Sequence, residues 1–280
     1  MDRLNWFPQE SPAVEEPPAL AMPLKSSLLG LMSNLLGEGS VTQLDEADFQ
    51  EPEKALALFL PAQARNLAAA LRQAATHPCP SKSADIALDE GWALAWIEAA
   101  KGAGSELERR VFGNFLAQQC LQPGAVSRRT LAGVRVMDVW ELESFQFYAA
   151  FAFEFESGWR FLFEGDLAKK EMWVYGRELD AGSHWIDQGF LVAEPHELRG
   201  DRNLGLEFSY RGAVWRLDGF AKEGAARASV PYRRLTMLGQ QLASAMTLKS
   251  YRGYARNLVQ AIQAASSLSI QEVSPDDARS

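Results

Sequence analysis

Residues 138–163 read DVWELESFQFYAAFAFEFESGWRFLF, and the hydrophobic period changes inside them. Asp138 is a capping residue type, and Val139, Leu142, Phe145 and Ala149 then recur at the spacing of one face of an α-helix. From Phe151 the interval drops to two. Phe151, Phe153 and Phe155 alternate with Ala152 and Glu154, Ser157-Gly158 supplies a turn, and Trp159, Phe161 and Phe163 alternate again. Two such runs around a glycine-bearing turn predict a β-hairpin. Its aromatic face could serve as a platform for bases or sugars, but such a face more often packs on helices and is read here as core.

Upstream, the pattern is helical. Ser105 precedes Glu108 by three residues, which is a capping box. The helix it opens turns Leu107, Val111, Phe115 and Leu116 inward and Glu106, Arg109 and Arg110 outward. Gln122-Pro123-Gly124 stops it, and Trp92, Trp96 and Ala99 mark one face of the preceding helix. Glu51 to Thr76 is rich in Ala and Leu and predicts a helix, with Pro61 expected to kink or split it and His77-Pro78-Cys79-Pro80 to end it. Leu24, Leu28, Leu31, Leu35 and Leu36 predict a short amphipathic helix ending at Gly37, and residues 38–50 read as a linker. Residues 1–23 carry five prolines and four acids and read as a flexible tail.

Downstream, residues 177–191 read as a helix. Leu204 to Tyr210, Arg211-Gly212 and Ala213 to Leu217 form a second hairpin, and helices follow from Met237 and over 251–265. This order resembles a winged helix. The expected fold is therefore α+β, mainly α: a tail over 1–23, a helical domain over 24–136, a winged-helix-like domain over 137–270 with two hairpins and a C-terminal helix, and a loose end over 271–280.

Composition excludes several classes of function. With 280 residues, 47% of them hydrophobic, the chain can build a sizeable core, and its net charge of −8 opposes broad contact with phosphate backbones. The early acids and prolines do not form a signal peptide, and the most apolar stretch is interrupted by Gln146, Glu154, Glu156 and Arg160, so no membrane span is expected. Cys79 and Cys120 read as two thiols in a reducing compartment, and the cytoplasm is expected. No phosphate-cradling loop, dinucleotide glycine motif or nucleophile elbow occurs, so no cofactor, metal or catalytic residue is assigned. Gly102-Ala103-Gly104-Ser105 comes nearest and reads as a capped turn. His184 and His196 lie near Asp187, Glu194 and Glu197 without the regular spacing of a metal site.

The best candidate for contact is Ser127-Arg128-Arg129-Thr130, whose two guanidiniums and two hydroxyls can grip a phosphate or carboxylate on a partner. The competing reading has Ser127 capping a helix while the arginines pair with Glu106, Glu108 or Glu141. If the second half binds DNA, the basic set Arg233, Arg234, Arg252 and Arg256 would have to carry it, because Glu178, Asp180 and Asp187 make the 177–190 segment repel a duplex.

Two stretches carry a resemblance. Asp89-Glu90-Gly91-Trp92, the helix over 111–119 and the tail Pro123-Gly124-Ala125-Val126-Ser127-Arg128-Arg129-Thr130-Leu131 form the first; Tyr232 to Leu242, of the form Y-x-x-LT-x-x-G-x-x-L, forms the second. Together they resemble bacterial proteins related to the abortive-infection alpha group and a neighbouring family of unknown function, with Gln119 where that family carries a glutamate. The resemblance implies a helical, winged-helix-like architecture and a place in phage defence, and no reaction. The expected role is a non-enzymatic component of a bacterial defence or toxin–antitoxin-like system, binding a protein partner or its own copies. A nucleic-acid-binding regulator is the alternative, and an enzyme whose site forms only in three dimensions the last.

Overall fold

Helices come first and a sheet follows in the computed structural model, which describes residues 52–77, 88–175, 181–220 and 229–273. All of these lie in one compact unit, Leu44–Ser280. The tail over 1–23, the helix over 24–37, the linker over 38–50, most of the His77-Pro78-Cys79-Pro80 cluster and residues 274–280 lie outside the described residues.

Helix α1 (Pro52–Ala75) runs through Pro61 as one element, so the expected split does not occur. The Ala- and Leu-rich turns on both sides, together with packing on a neighbouring helix, outweigh a proline cost of about 3 kcal/mol. Helix α2 (Glu90–Ala100) is capped by Asp89, whose carboxylate accepts the Trp92 N–H at 2.8 Å, and it buries Trp92, Trp96 and Ala99. Helix α3 (Glu106–Leu121) opens on the predicted capping box: Ser105 Oγ accepts the Glu108 N–H at 3.2 Å and the Glu108 carboxylate accepts the Ser105 N–H at 2.7 Å. Leu107, Val111, Phe115 and Leu116 are buried on it as predicted. Gly113 is where α3 meets α1, for a Cβ added there would stand 2.6 Å from the Ala70 carbonyl oxygen. Helices α4 (Arg128–Arg135) and α5 (Val139–Ala149) follow.

The remaining elements are β1 (Phe153–Phe155), β2 (Arg160–Phe163), α6 (Asp166–Trp173), α7 (Ala181–Asp187), β3 (His196–Arg199), β4 (Glu207–Tyr210), β5 (Ala213–Phe220), β6 (Ser229–Arg234), α8 (Met237–Ala245), α9 (Arg252–Ser266) and β7 (Leu268–Val273). The fold is thus mixed, with about half of the described residues helical. Its seven strands form one antiparallel sheet in the order β3-β6-β2-β1-β4-β5-β7.

Both predicted hairpins are present, β1–β2 and β4–β5, and they lie side by side through the β1–β4 pair. Strands β3, β6 and β7 and helix α6 were not predicted. Part of the expected loose C-terminus is a strand instead: Gln271, Glu272 and Val273 pair with Arg216, Trp215 and Val214. Pairing with the open edge of β5 draws on backbone donors and acceptors, which leave no hydrophobic pattern to read. The helix expected over 177–191 is described only as Ala181–Asp187, after which Phe190 N–H turns back to the Trp185 carbonyl at 2.8 Å.

The aromatic alternation is core at four of its six positions, with Phe155 and Trp159 half-buried. Phe151, Phe153, Phe161 and Phe163 are fully buried, and the Phe153 ring lies 5.1 Å from Phe163, 5.3 Å from Tyr210 and 6.0 Å from Tyr254 on α9. Leu162, pointing to the opposite face, is equally buried, so the middle of the sheet is covered on both sides. Helix α8 joins the sheet to the helices: Asn114 Nδ2 donates to the Ala245 carbonyl at 2.7 Å, and Arg160 Nη1 donates to Ser244 Oγ at 2.9 Å.

Candidate functional site

Helix α4 begins where a Pro-Gly turn releases the chain from α3, and its start is held by a buried polar knot. Ser127 Oγ accepts the Thr130 N–H at 3.1 Å and shares a 2.9 Å bond with the Thr130 hydroxyl. Thr130 has no exposed surface, and its hydroxyl donates to Gln241 Oε1 on α8, which also accepts the Ser127 N–H at 3.0 Å. Just before it, Val126 is fastened twice, its N–H to Gln119 Oε1 at 3.1 Å and its carbonyl to Trp92 Nε1 at 2.7 Å. The two hydroxyls of the predicted Ser127-Arg128-Arg129-Thr130 contact are therefore spent on the protein's own helix start. Gln119 is a buried neutral acceptor in the same knot.

The arginines are a different matter. Arg128, Arg129 and Arg135 lie on the exposed side of α4, while Thr130, Leu131 and Val134 face inward. The carboxylates that sequence placed within reach are engaged elsewhere: Glu106 with Arg110 at 3.7 Å, Glu108 in its capping box, and Glu141 with the Asp138 N–H at 2.8 Å and His184 Nε2 at 2.9 Å. Among the described residues none pairs with these three guanidiniums. Arg128 reaches over Gly91 at the start of α2, where an added Cβ would come within 3.0 Å of its Nη1.

An apolar surface continues from the arginines. Val136 is 78% exposed and Trp140 58%, with Val139 beside them. The Trp140 ring is held in place, its Nε1 donating to Asp138 Oδ2 at 3.2 Å and its face 5.6 Å from the His184 imidazole. Arginine and tryptophan are the side chains most enriched where proteins bind one another. Sequence reading passed over Arg135, Val136 and Trp140. The available signal was that Trp140 falls off the Leu142–Phe145–Ala149 stripe and Val136 off the Leu131–Val134–Met137 one.

The basic set proposed for DNA is not assembled for it. Arg233 is buried: its guanidinium grips both Glu164 carboxylate oxygens and donates to the Val192 and Ala193 carbonyls. It is a strut within the fold. Beside it, burial and then the Glu164 charge push the Tyr148 phenol well above its ordinary value, with Arg233 opposing. Arg234 donates to His196 Nε2 at 3.2 Å and lies 6.0 Å over the Trp159 ring, and Arg256 pairs with Glu272 at 3.4 Å. Arg252 opens α9. His184 and His196 are thus bound to Glu141 and Arg234, and no group of metal-ligating side chains occurs among the described residues. No described helix is long and apolar enough to cross a membrane.

Most of α1 and the whole of α2 to α6 fall within a region, residues 57–177, that is similar to a family described as a protein of unknown function (DUF2806). The match covers less than half of the chain and includes the whole of α4 and Trp140. No significant match occurs among curated proteins or solved structures.

Proposed function

We propose that this chain is a protein-interaction component that docks through α4 and the start of α5 onto an acidic partner. The observation that carries the reading is three guanidiniums without carboxylate partners among the described residues, bordered by Trp140 and Val136, on a chain whose net charge is −8. An arginine face with an anchored tryptophan offers charge to orient an encounter and apolar area to hold it. A separate protein fits better than a second copy, since a two-fold contact through this patch would bring α4 against its own arginines. The resemblance in the α2–α4 region would place that partner in a bacterial phage-defence or toxin–antitoxin-like system.

The test compares the wild-type chain with an R128E/R129E/R135E variant, and separately with Trp140→Ala, by quantitative recovery of partners from the native host. A partner of acidic composition is expected to be retained by the wild type, lost on charge reversal and weakened about tenfold or more by Trp140→Ala, a hot-spot truncation costing roughly 2 kcal/mol. Equal recovery by all three chains would overturn the docking face. Deletion of the gene is expected to raise phage plating efficiency; unchanged plating would remove the defence setting and leave the docking face standing.

A further inference from the structure

Beyond the buried core, one corner of the sheet carries rings that stay accessible. Strand register sets them on a single face: Phe161 pairs with Arg234, Phe163 with Tyr232, and Tyr232 with His196. At the end of the β1–β2 hairpin the Phe155 N–H donates to the Trp159 carbonyl at 3.0 Å, and alternation turns both rings to the same face. Phe161 is fully buried there, whereas Phe155, Trp159, Tyr232 and His196 are each half-buried.

The Phe155 ring lies flat on Phe161, with centroids 4.1 Å and planes 14° apart, so the surface it exposes is on its other side. It stands 5.5 Å from the Tyr232 ring, on which His196 stacks at 5.4 Å. Rings from β1, β6 and β3 thus run side by side across the sheet. Next to them the Arg234 guanidinium lies 6.0 Å over the Trp159 ring and donates its Nε–H to His196 Nε2 at 3.2 Å. The imidazole is a neutral acceptor in that bond. No carboxylate among the described residues pairs with Arg234, so its charge is uncompensated. Glu154 and Glu197, the carboxylates of these four strands, alternate to the opposite face.

We infer that this rim binds single-stranded nucleic acid, with bases stacked on the Phe155, Trp159 and His196 rings and one phosphate held by Arg234. Every base offers a flat π-face to an aromatic ring, and the phosphate joining two bases supplies the counter-charge that Arg234 lacks. A neutral sugar chain would cover the rings and leave the guanidinium uncompensated. A duplex keeps its base faces stacked on one another, so it cannot use the rim. The net charge of −8 opposes a grip built on many phosphates, and stacking therefore carries most of the affinity. None of the α4 residues takes part, so the test is independent of the docking face.

Fluorescence anisotropy of the full chain with labelled thymidine and uridine oligonucleotides of about ten residues tests this. Both are expected to bind, and the tighter of the two names the preferred sugar. An abasic oligomer of the same length and a duplex offer phosphates without open base faces, and each should bind at least about tenfold more weakly. Affinity should fall with salt at a log–log slope of only about −0.7, that of one phosphate contact, and Arg234→Gln should remove most of this dependence. Trp159→Leu and Phe155→Leu keep apolar bulk against the sheet and lose the aromatic face, so each should weaken binding about tenfold. Should Phe155→Leu melt lower than wild type, Trp159→Leu and Arg234→Gln still decide. The inference is overturned by unchanged anisotropy with both oligonucleotides, by the abasic oligomer or the duplex binding as tightly, or by undiminished binding to Trp159→Leu.

Discussion

Thr130 spends its hydroxyl inside the protein, so its replacement should read as stability and not as binding. Thr130→Val is expected to cost about 1–2 kcal/mol in urea unfolding by leaving Gln241 Oε1 short of a donor, with partner recovery unchanged. Arg233 makes a sharper case. Arg233→Met leaves the Glu164 carboxylate and two backbone carbonyls without their donor and should cost about 3 kcal/mol, whereas an R233M/E164L double variant should recover much of that loss. A single variant as stable as wild type would show that the pair holds nothing. Tyr254 runs the other way: its hydroxyl is buried with no hydrogen-bond partner among the described residues, so Tyr254→Phe should leave stability equal or raise it by up to about 1 kcal/mol. Individual residues were partly legible in the sequence. Ser127 was read as a cap from its place before a helix, but Arg233 looked like any surface arginine, because its carboxylate lies far away in the chain.

At the scale of elements, helix starts were legible and helix neighbours were not. The capping box at Ser105 and Glu108 is a local code, complete within four residues, and it forms as read. Gly113, by contrast, has its role set by α1, which comes against it. Gly113→Ala should cost about 1–3 kcal/mol by forcing the two helices apart, although alanine is the better helix former; a gain in melting temperature would contradict the close approach. The Y-x-x-LT-x-x-G-x-x-L stretch takes on a physical meaning at this scale too. Thr236 caps α8 by accepting the Gly239 N–H at 3.2 Å, a Cβ on Gly239 would overlap the Phe190 carbonyl, and Leu242 is fully buried. Its glycine and apolar positions make a helix fit its seat.

Over the whole molecule, five tyrosines, Tyr148, Tyr210, Tyr232, Tyr251 and Tyr254, have their phenols raised above the ordinary value of 10.0, each chiefly by burial. A raised phenol binds its proton more tightly in the fold than in the unfolded chain. Its contribution is therefore complete below the ordinary value and is lost as pH rises above it. Urea midpoints should hold steady up to about pH 9 and fall steeply by about pH 11, and a Y148F/Y254F variant should fall less. An unchanged slope would mean that these rings do not drive alkaline unfolding. By itself the sequence determined the helix caps, the two hairpins, the aromatic core and the change of period at Phe151, since each is written in residues a few positions apart. Only the tertiary structure decided that β3, β6 and β7 complete a seven-stranded sheet, that Thr130 is buried with Ser127 bonded to it, and that Arg128, Arg129 and Arg135 are left exposed beside Trp140. The physical reason is that strand pairing and buried polar contacts are made between backbone and side-chain groups distant in the chain, which leave no periodic trace along it.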